Sequence, residues 1–584
     1  MINKINQALS IYREKWIMRT GIMLLLMLSW LSILYSADSF LSPYVAYSLA
    51  GIVAFAENVK NNYQVTKREK CFGVLFSLLF SLSIFFANYK IVASITEHLV
   101  KSAILLLGGA LISWHILIMA VKIIAQRNNT QRVNASAPQK WFWLPFISIS
   151  AVYLLCLFCC YKPGVLTPDS LSQITQIMSE SYSNHHPFWH TMIIKVFLSL
   201  GMAIFNDINS AVTVYSVFQI LCMSAVFAYL CMTLYQVGVS IGWIVIAIVA
   251  YAVVPYHFLF SITMWKDILF GGTVALFICS LYRVIRCIGK KWTNYTTMII
   301  GALGCCLLRS NGMVAFVLTF FFMAFVLRKT EKKLLLAMMA VILFSFILKH
   351  PVLKSLGVAQ PDTAEFLSIP EQQIARLIVD EVNLNEDEIE QLEQIMSFEE
   401  VKKYYKPYIS DPVKAIIRRT NQDYLTEHKW SFFVLWLRLG IKYPNYYVKA
   451  WIDQTRGYWN GGYDYGIVVT RVFDNDFGIE MPQQNSNVSN IIRNWVRKFL
   501  NTPAFEIFRS IGFHVWVTAF CCIVLLIKKR KETLICIMPL AVILTLLIST
   551  PVFCEFRYAY AIFTVCPFLV LSTFFAREAQ ETIE

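Results

Sequence analysis

The sequence predicts an all-α polytopic membrane protein, and three observations carry that prediction. Hydrophobic residues fill 57% of the 584 positions and charged residues only 15%, so the mean hydropathy of +0.56 is far too apolar for a soluble chain of this size. Apolar stretches long enough to cross a bilayer recur from end to end. One polar block, 351–506, interrupts them and is rich in Pro and Tyr.

In chain order the candidate spans are 19–36, 40–57, 71–88, 102–122, 141–160, 209–234, 239–259, 268–286, 294–308, 312–327, 334–350, 507–527, 533–552 and 557–576, about fourteen transmembrane helices. The stretch 187–205 is also long enough to cross. Charge decides against it. Basic clusters stand at Lys67/Arg68/Lys70, Arg127/Arg132/Lys140, Arg283/Arg286/Lys290/Lys291, Arg328/Lys329/Lys332/Lys333 and Lys528/Lys529/Arg530/Lys531, and such clusters stay cytoplasmic. All of them share that side if 187–205 lies along the outer surface or re-enters. Both termini are then cytoplasmic, and the polar block faces outward from a plasma membrane.

Four regions follow. Residues 1–140 form a four-span accessory module closed by the basic linker 127–140. Residues 141–350 are a transmembrane core whose first external loop is 161–208. The block 351–506 is an extracytoplasmic, mostly helical domain, and 507–584 hold three spans and a cytoplasmic tail. The formal charge of +15 sits mostly beside spans, where it orients the chain, so nucleic acid is excluded as a partner. The 15 cysteines lie almost all in apolar segments, so they form no disulfide framework, and no CxxC pair reads as a metal site.

Residues able to do chemistry concentrate at span ends. Thr167-Pro168 is a helix-start signal, and Leu171, Ile174, Ile177 and Met178 then share one face. Asp169 and Ser170 therefore occupy the first turn of an amphipathic surface helix, where the helix dipole favours an ionised carboxylate. A second polar knot, Asn184-His185-His186-Pro187, precedes an apolar helix carrying Trp189, His190 and Lys195. Three further constellations are MWKD (264–267), LLRSNG (307–312) and CEFRY (554–558). Charge in or beside a membrane costs several kcal/mol unless paired or hydrated, so it is seldom incidental.

Each feature also has a plain structural reading. Asp169 could cap its helix, and His185 and His186 could orient the loop. Lys195, Lys266 and Arg557 could snorkel, and Asp267 could pair with Lys266 or another basic neighbour. The aromatic-glycine loop YWNGGYDYG (458–466) offers Tyr458, Trp459, Tyr463 and Tyr465 either as sugar-stacking rings or as interfacial anchors.

A carboxylate just after a span, on a surface helix followed by a His-Pro helix, resembles the first external loop of the GT-C glycosyltransferases, multi-spanning enzymes that use polyprenyl-phosphate-linked sugars. The Lys-Asp pair opening a later span and the Arg-Tyr near the last span are similar to bacterial, family 39-like members. The likeness covers roughly 141–576. It implies a GT-C-like fold, membrane lipid around it, and inverting transfer from a polyprenyl-phosphate sugar to an envelope polymer, glycolipid or protein. It further implies that Asp169 is the general base or the carboxylate that orients the acceptor, and that Asp267 is the second acidic residue. Lys266, Arg309 or Arg557 would hold the lipid phosphate, with His185 and His186 as further substrate contacts. Asp-Ser stands at 169–170 where the better-known pattern has Asp-Glu, which leaves both a metal-free and a Mg- or Mn-dependent mechanism open. The rival readings are a transporter or flippase for lipid-linked saccharides and a non-catalytic partner in envelope-polymer export. A transporter needs charge near the bilayer midplane, whereas the charges here gather at span ends.

Overall fold

The candidate spans fold as helices, and extended pairing among the described residues is limited to isolated bridges. The computed structural model describes residues 2–35, 41–61, 64–88, 95–126, 139–463 and 468–577. Most of the basic linker (127–138), Asp464 to Ile467 of the aromatic loop and the tail beyond Arg577 lie outside the described residues.

Nine described helices are long and apolar enough to cross a membrane, or eleven if each of two bent pairs counts as one span. The difference from fourteen has local causes. Pro255 breaks 239–259 into Ile241–Val253 and Pro255–Ser261, set at 54°. Gly312–Leu327 and Thr20–Leu34 are apolar but short. Phe188–Phe205, expected to lie on the surface or re-enter, is a continuous 18-residue helix that meets both criteria.

The first helices are α1 (Ile2–Tyr35), α2 (Leu41–Asn61), α3 (Lys67–Ala87) and α4 (Ile95–Gln126). A capping box starts α3: Glu69 Oε2 accepts the Thr66 N–H at 2.7 Å while Thr66 Oγ1 accepts the Glu69 N–H at 3.3 Å. Trp30, Tyr44, Phe80, Ile84 and Ile112 form the core of this group. Phe76, Leu117 and Val121 carry its packing onto Val524 and Ile527.

Next come α5 (Lys140–Cys156), α6 (Pro168–Met178), α7 (Phe188–Phe205) and α8 (Ile208–Gln236). The chain reverses between α7 and α8 at left-handed Asn206, and Asp207 caps α8 by accepting the Ser210 N–H at 2.7 Å. The two helices run antiparallel, with Phe197 stacked on Phe218 at 3.8 Å. The helix that everything else surrounds is α9 (Lys266–Ile285): 83% of its apolar window is buried, against 17% for the peripheral Lys332–Ser355. It packs between α8, α10 (Lys291–Leu307) and the last helix, α11 (Tyr560–Phe574).

The polar block is a set of short helices from Thr363 to Thr455 around their own cluster of Ile374, Leu377, Ile416, Phe432 and Leu439. It grips both loops that carry chemistry-bearing residues. The Asn184 N–H donates to the Ala359 carbonyl at 2.7 Å, and the Phe553 N–H donates to the Tyr408 carbonyl at 3.0 Å.

One short ladder positions α6. The Val165 N–H donates to the Ile262 carbonyl (2.9 Å), the Met264 N–H to the Val165 carbonyl (3.0 Å), and the Phe473 N–H to the Leu166 carbonyl (3.1 Å). Entry to it depends on Gly164, whose φ of +136° favours glycine and whose missing Cβ would stand 2.2 Å from Ser216 Oγ. Gly164→Ala is expected to cost about 1–3 kcal/mol through strain and overpacking, read as a lower unfolding midpoint of the detergent-solubilised chain.

Candidate functional site

The ladder ends by delivering Thr167–Asp169 beside Trp265–Asp267. The Trp265 Nε1–H donates to Thr167 Oγ1 at 2.7 Å, so the loop before α6 is bonded to the residue before α9. Ser170 is fully buried; its hydroxyl donates to the Met264 carbonyl at 2.8 Å and accepts the Thr167 N–H at 3.1 Å. The Asp-Ser pair therefore divides two tasks. Ser170 ties the helix down while Asp169 stands free to face the cluster.

A second tie lies beneath α6. Tyr215 OH donates to Gln219 Oε1 (3.0 Å) and so accepts from His190 Nε2 (3.0 Å), which leaves Nδ1 to accept from Gln173 Nε2 (3.0 Å). Gln219 Nε2 then reaches the carbonyls of Phe260 and Ser261 (3.1 Å each) and Thr263 (2.8 Å). This chain of neutral groups, from α6 through α7 and α8 to the loop before α9, fixes where Asp169 points.

Asp169 meets two cations. Arg557 Nη1 lies 2.5 Å from its Oδ2 and Lys266 Nζ 3.8 Å from the same oxygen. Lys266 Nζ also donates to His186 Nδ1 at 3.0 Å. The Arg557 guanidinium lies 5.1 Å from the ring centroids of both Trp265 and Tyr558, and its Nε is 3.3 Å from Glu555 Oε1. Burial alone would raise the Asp169 carboxyl, but Lys266 and Arg557 together hold it well below the usual carboxylate range. Burial, with Lys266 next to it, lowers His186 to about 3, so its ring is neutral. Burial pushes Glu555 up to about 7 against the opposing pull of Arg557.

Asp267 and Arg309 stand behind this group. Arg309 Nε is 3.0 Å from Asp267 Oδ1, its Nη1 donates to the Tyr558 carbonyl at 2.8 Å, and its guanidinium lies 4.6 Å from the Tyr558 ring centroid. The Asp267 side chain is 0% exposed. The close approach is an ion pair without hydrogen-bond alignment, since both Asp267 oxygens are buried with no hydrogen-bond partner. The pair braces the loop from below and is sealed from outside.

The structure thus brings together Asp169, His186, Lys266 and Arg557, with Asp267 and Arg309 in support. His185 is exposed and makes no ion pair with the cluster; its ring stands edge-on to His186 at 4.8 Å, and Asp362, Glu365 and His186 are the titratable groups it influences. Lys195 donates to Tyr182 OH at 2.9 Å, away from the cluster. Tyr458 and Trp459 are buried. Tyr458 OH is a clasp, donating to the Val552 carbonyl (2.9 Å) and accepting the Glu555 N–H (3.1 Å). Tyr465 lies outside the described residues. Sequence reasoning quoted Trp265, Glu555 and Tyr558 within MWKD and CEFRY but gave none of them a role at the site. Their signal was adjacency: each lies within two residues of a predicted cation in MWKD or CEFRY.

A divalent cation does not fit this donor set. No group of three or more His, Cys, Asp or Glu among the described residues converges to hold a metal ion. Asp169, Asp267 and Glu555 are each already paired with a guanidinium, and a positive ion placed among them would stand against Lys266, Arg309 and Arg557. A cavity of about 730 Å³ adjoins the ladder at Val472, lined by Tyr161, Arg471 and Arg493 among others. Its lining contains none of the cluster's side chains, so it is a neighbouring space.

Three groups of the cluster make stability depend on pH, and two of them oppose each other. His186 is depressed in the folded state, so it contributes full stability above its unfolded value of about 6.5 and loses it as pH falls towards 3. Asp169 is also depressed, so its contribution is lost only below about pH 4. Glu555 is raised in the folded state, so it works the other way and adds stability as pH falls from about 7 to its ordinary value of 4.5. Thermal unfolding against pH is therefore expected to be nearly level between about pH 6.5 and 4.5 in wild type and to decline below that. In His186→Gln the opposing loss is gone, so stability is expected to rise as pH falls through the same window.

A family model described as a family of unknown function (DUF6020) matches residues 175–584. No curated protein and no solved structure matches the chain. The match opens within α6 and takes in His186, Lys266, Asp267, Arg309, Glu555 and Arg557, with Asp169 just before its start. With the match covering most of its length, this multi-span membrane protein belongs to the DUF6020 family of unknown function.

Proposed function

We propose that the chain is a GT-C-type membrane glycosyltransferase, moving a sugar from a polyprenyl phosphate to an envelope polymer, glycolipid or protein. The observation that carries this reading is the junction of Asp169, Lys266 and Arg557, three residues from distant parts of the sequence, the first in the opening turn of an amphipathic helix and the others at the starts of apolar ones. Such a transfer needs positive charge where the phosphate departs and a carboxylate beside the acceptor hydroxyl. Lys266 and Arg557 supply the first. Arginine suits it because its planar fork matches phosphate oxygens and its charge is permanent. Asp169, held ionised by both cations, orients the acceptor, while the neutral His186 leaves the Lys266 charge undiminished. Arg309 supports the phosphate site from behind through the Tyr558 carbonyl.

The site lies on the face that carries 161–187 and the polar block. With α7 lying along this face or re-entering, the basic clusters all fall on the opposite side, which makes this the extracytoplasmic face of a plasma membrane with both termini cytoplasmic. The position of the cluster at helix ends, instead of midway along a span, favours chemistry over transport.

The test is transfer of radiolabel from a panel of polyprenyl-phosphate sugars in membranes holding wild type, Asp169→Asn or Arg557→Lys, with folding checked. Wild type is expected to transfer label, and each variant to lose about 100-fold or more, as when one stabilising partner of a transition state is removed. Equal transfer by all of them, or none by wild type, would sink the reading.

A further inference from the structure

We infer that Glu555, and not Asp267, is the site's second working carboxylate, and that it takes the proton of the acceptor hydroxyl; this role rests on the glycosyltransferase reading. The cluster holds three carboxylates, and access separates them. The Asp267 side chain is 0% exposed behind Arg309, whereas those of Asp169 and Glu555 are 29% and 15% exposed and share the Arg557 guanidinium. Arg557 joins these two, touching Asp169 through Nη1 and Glu555 through Nε, so the two carboxylates stand no more than one guanidinium apart.

Their partners make them unequal as bases. Asp169 takes both Arg557 and Lys266 on one oxygen, which stabilises its anion and weakens its hold on a proton. Glu555 takes only the longer contact of Arg557. The charged and titratable groups facing it are Asp169 from α6, Asp267 from α9, Tyr458, and Arg557 and Tyr558 of its own loop. Burial is the larger influence favouring the protonated form, and the two carboxylates among these neighbours add to it against Arg557. Its proton affinity, near pH 7, accordingly suits general-base work at ambient pH.

The backbone holds Glu555 for this task. Its N–H donates to Tyr458 OH at 3.1 Å. Gly457 lets the chain pass so close to Cys554 that an added Cβ would stand 2.3 Å from the Cys554 Cβ. The step balances as follows. The acceptor oxygen forms the new bond to the sugar's anomeric carbon while its proton passes to the Glu555 carboxylate. The bond from that carbon to the phosphate oxygen breaks, its electron pair leaving with the polyprenyl phosphate against Lys266 and Arg557. Glu555 then returns its proton to water.

The experiment is the pH dependence of label transfer by full-length wild type, Glu555→Gln and Glu555→Asp, with infrared titration of the carboxyl groups in donor-free protein. Wild-type transfer is expected to fall about tenfold per pH unit below about pH 7. Glu555→Gln should lose about 100-fold or more, within the usual range for a general base, and lose the pH limb. Glu555→Asp should recover part of both. A protonated-carboxyl band titrating near pH 7 should be present in wild type and missing from Glu555→Gln. If Glu555→Gln does not fold, the wild-type limb and band decide. A flat wild-type profile, or a limb that survives in Glu555→Gln, overturns the role of Glu555 alone. No transfer by wild type from any donor overturns the parent reading, and this role with it.

Discussion

The contact on which the site depends is the one between Arg557 and its two carboxylates. A charged group taken out of water loses several kcal/mol of solvation, and a well-placed counter-charge is what offsets the loss. Arg557 is 17% exposed at the side chain, so it needs such partners, and they arrive from opposite ends of the fold: Asp169 from the first polar loop, Glu555 from the turn before the last helix. The aromatic faces of Trp265 and Tyr558 flank the guanidinium and leave its edge to the carboxylates. A lysine there would keep the charge and lose both the fork and the stacking. The ion pair thus joins the beginning of the core to its end through a single side chain.

Most of the surrounding structure keeps that junction in register with uncharged bonds. The Gln173–His190–Tyr215–Gln219 chain, the hydroxyl of Ser170 and the Trp265–Thr167 bond all hold α6 against the loop before α9. None of them introduces a charge, so none competes with Asp169 for the cations. The polar block adds its own grip, holding the loop of His186 through Ala359 and the loop of Glu555 through Tyr408. The two halves of the site are therefore held by one structure that lies outside both.

The α-helical class and most helix positions were legible because apolar run length is a one-dimensional property. The start of α6 at Pro168 was legible for the same reason: the hydroxyl-proline signal is local. The number of spans was less so. Hydropathy sees neither the break at Val254–Pro255 nor the difference between a short apolar helix and a spanning one. At the site, the predicted cations were read from the rule that charge at a membrane is seldom idle, and Lys266, Arg309 and Arg557 do meet carboxylates. Which carboxylate each would meet was not legible, since pairing is set by the three-dimensional path. Lys266 and Asp267 adjoin in sequence, yet they turn to different partners, Asp169 and Arg309. Likewise His185 and His186 are neighbours, and only the second enters the cluster. Glu555 stood inside CEFRY yet received no role, because a lone glutamate between a cysteine and a phenylalanine has no pattern that sets its chemistry apart from the neighbouring arginine.

The charge balance of the cluster bears on its chemistry. Lys266, Arg309 and Arg557 face Asp169, Asp267 and Glu555, so the fixed charges cancel while Glu555 is ionised, and one positive charge is in excess once it is protonated. In the proposed transfer the leaving phosphate gains a negative charge as the acceptor loses its proton. Proton arrival at Glu555 then raises the positive charge of the site in step with the charge that develops on the phosphate, a few ångströms away across Arg557. A resident divalent cation would hold a fixed charge through the same event. A base that shares its guanidinium with the phosphate site couples the two halves of the displacement instead, and Ser170, which withholds a fourth carboxylate from α6, keeps that balance intact.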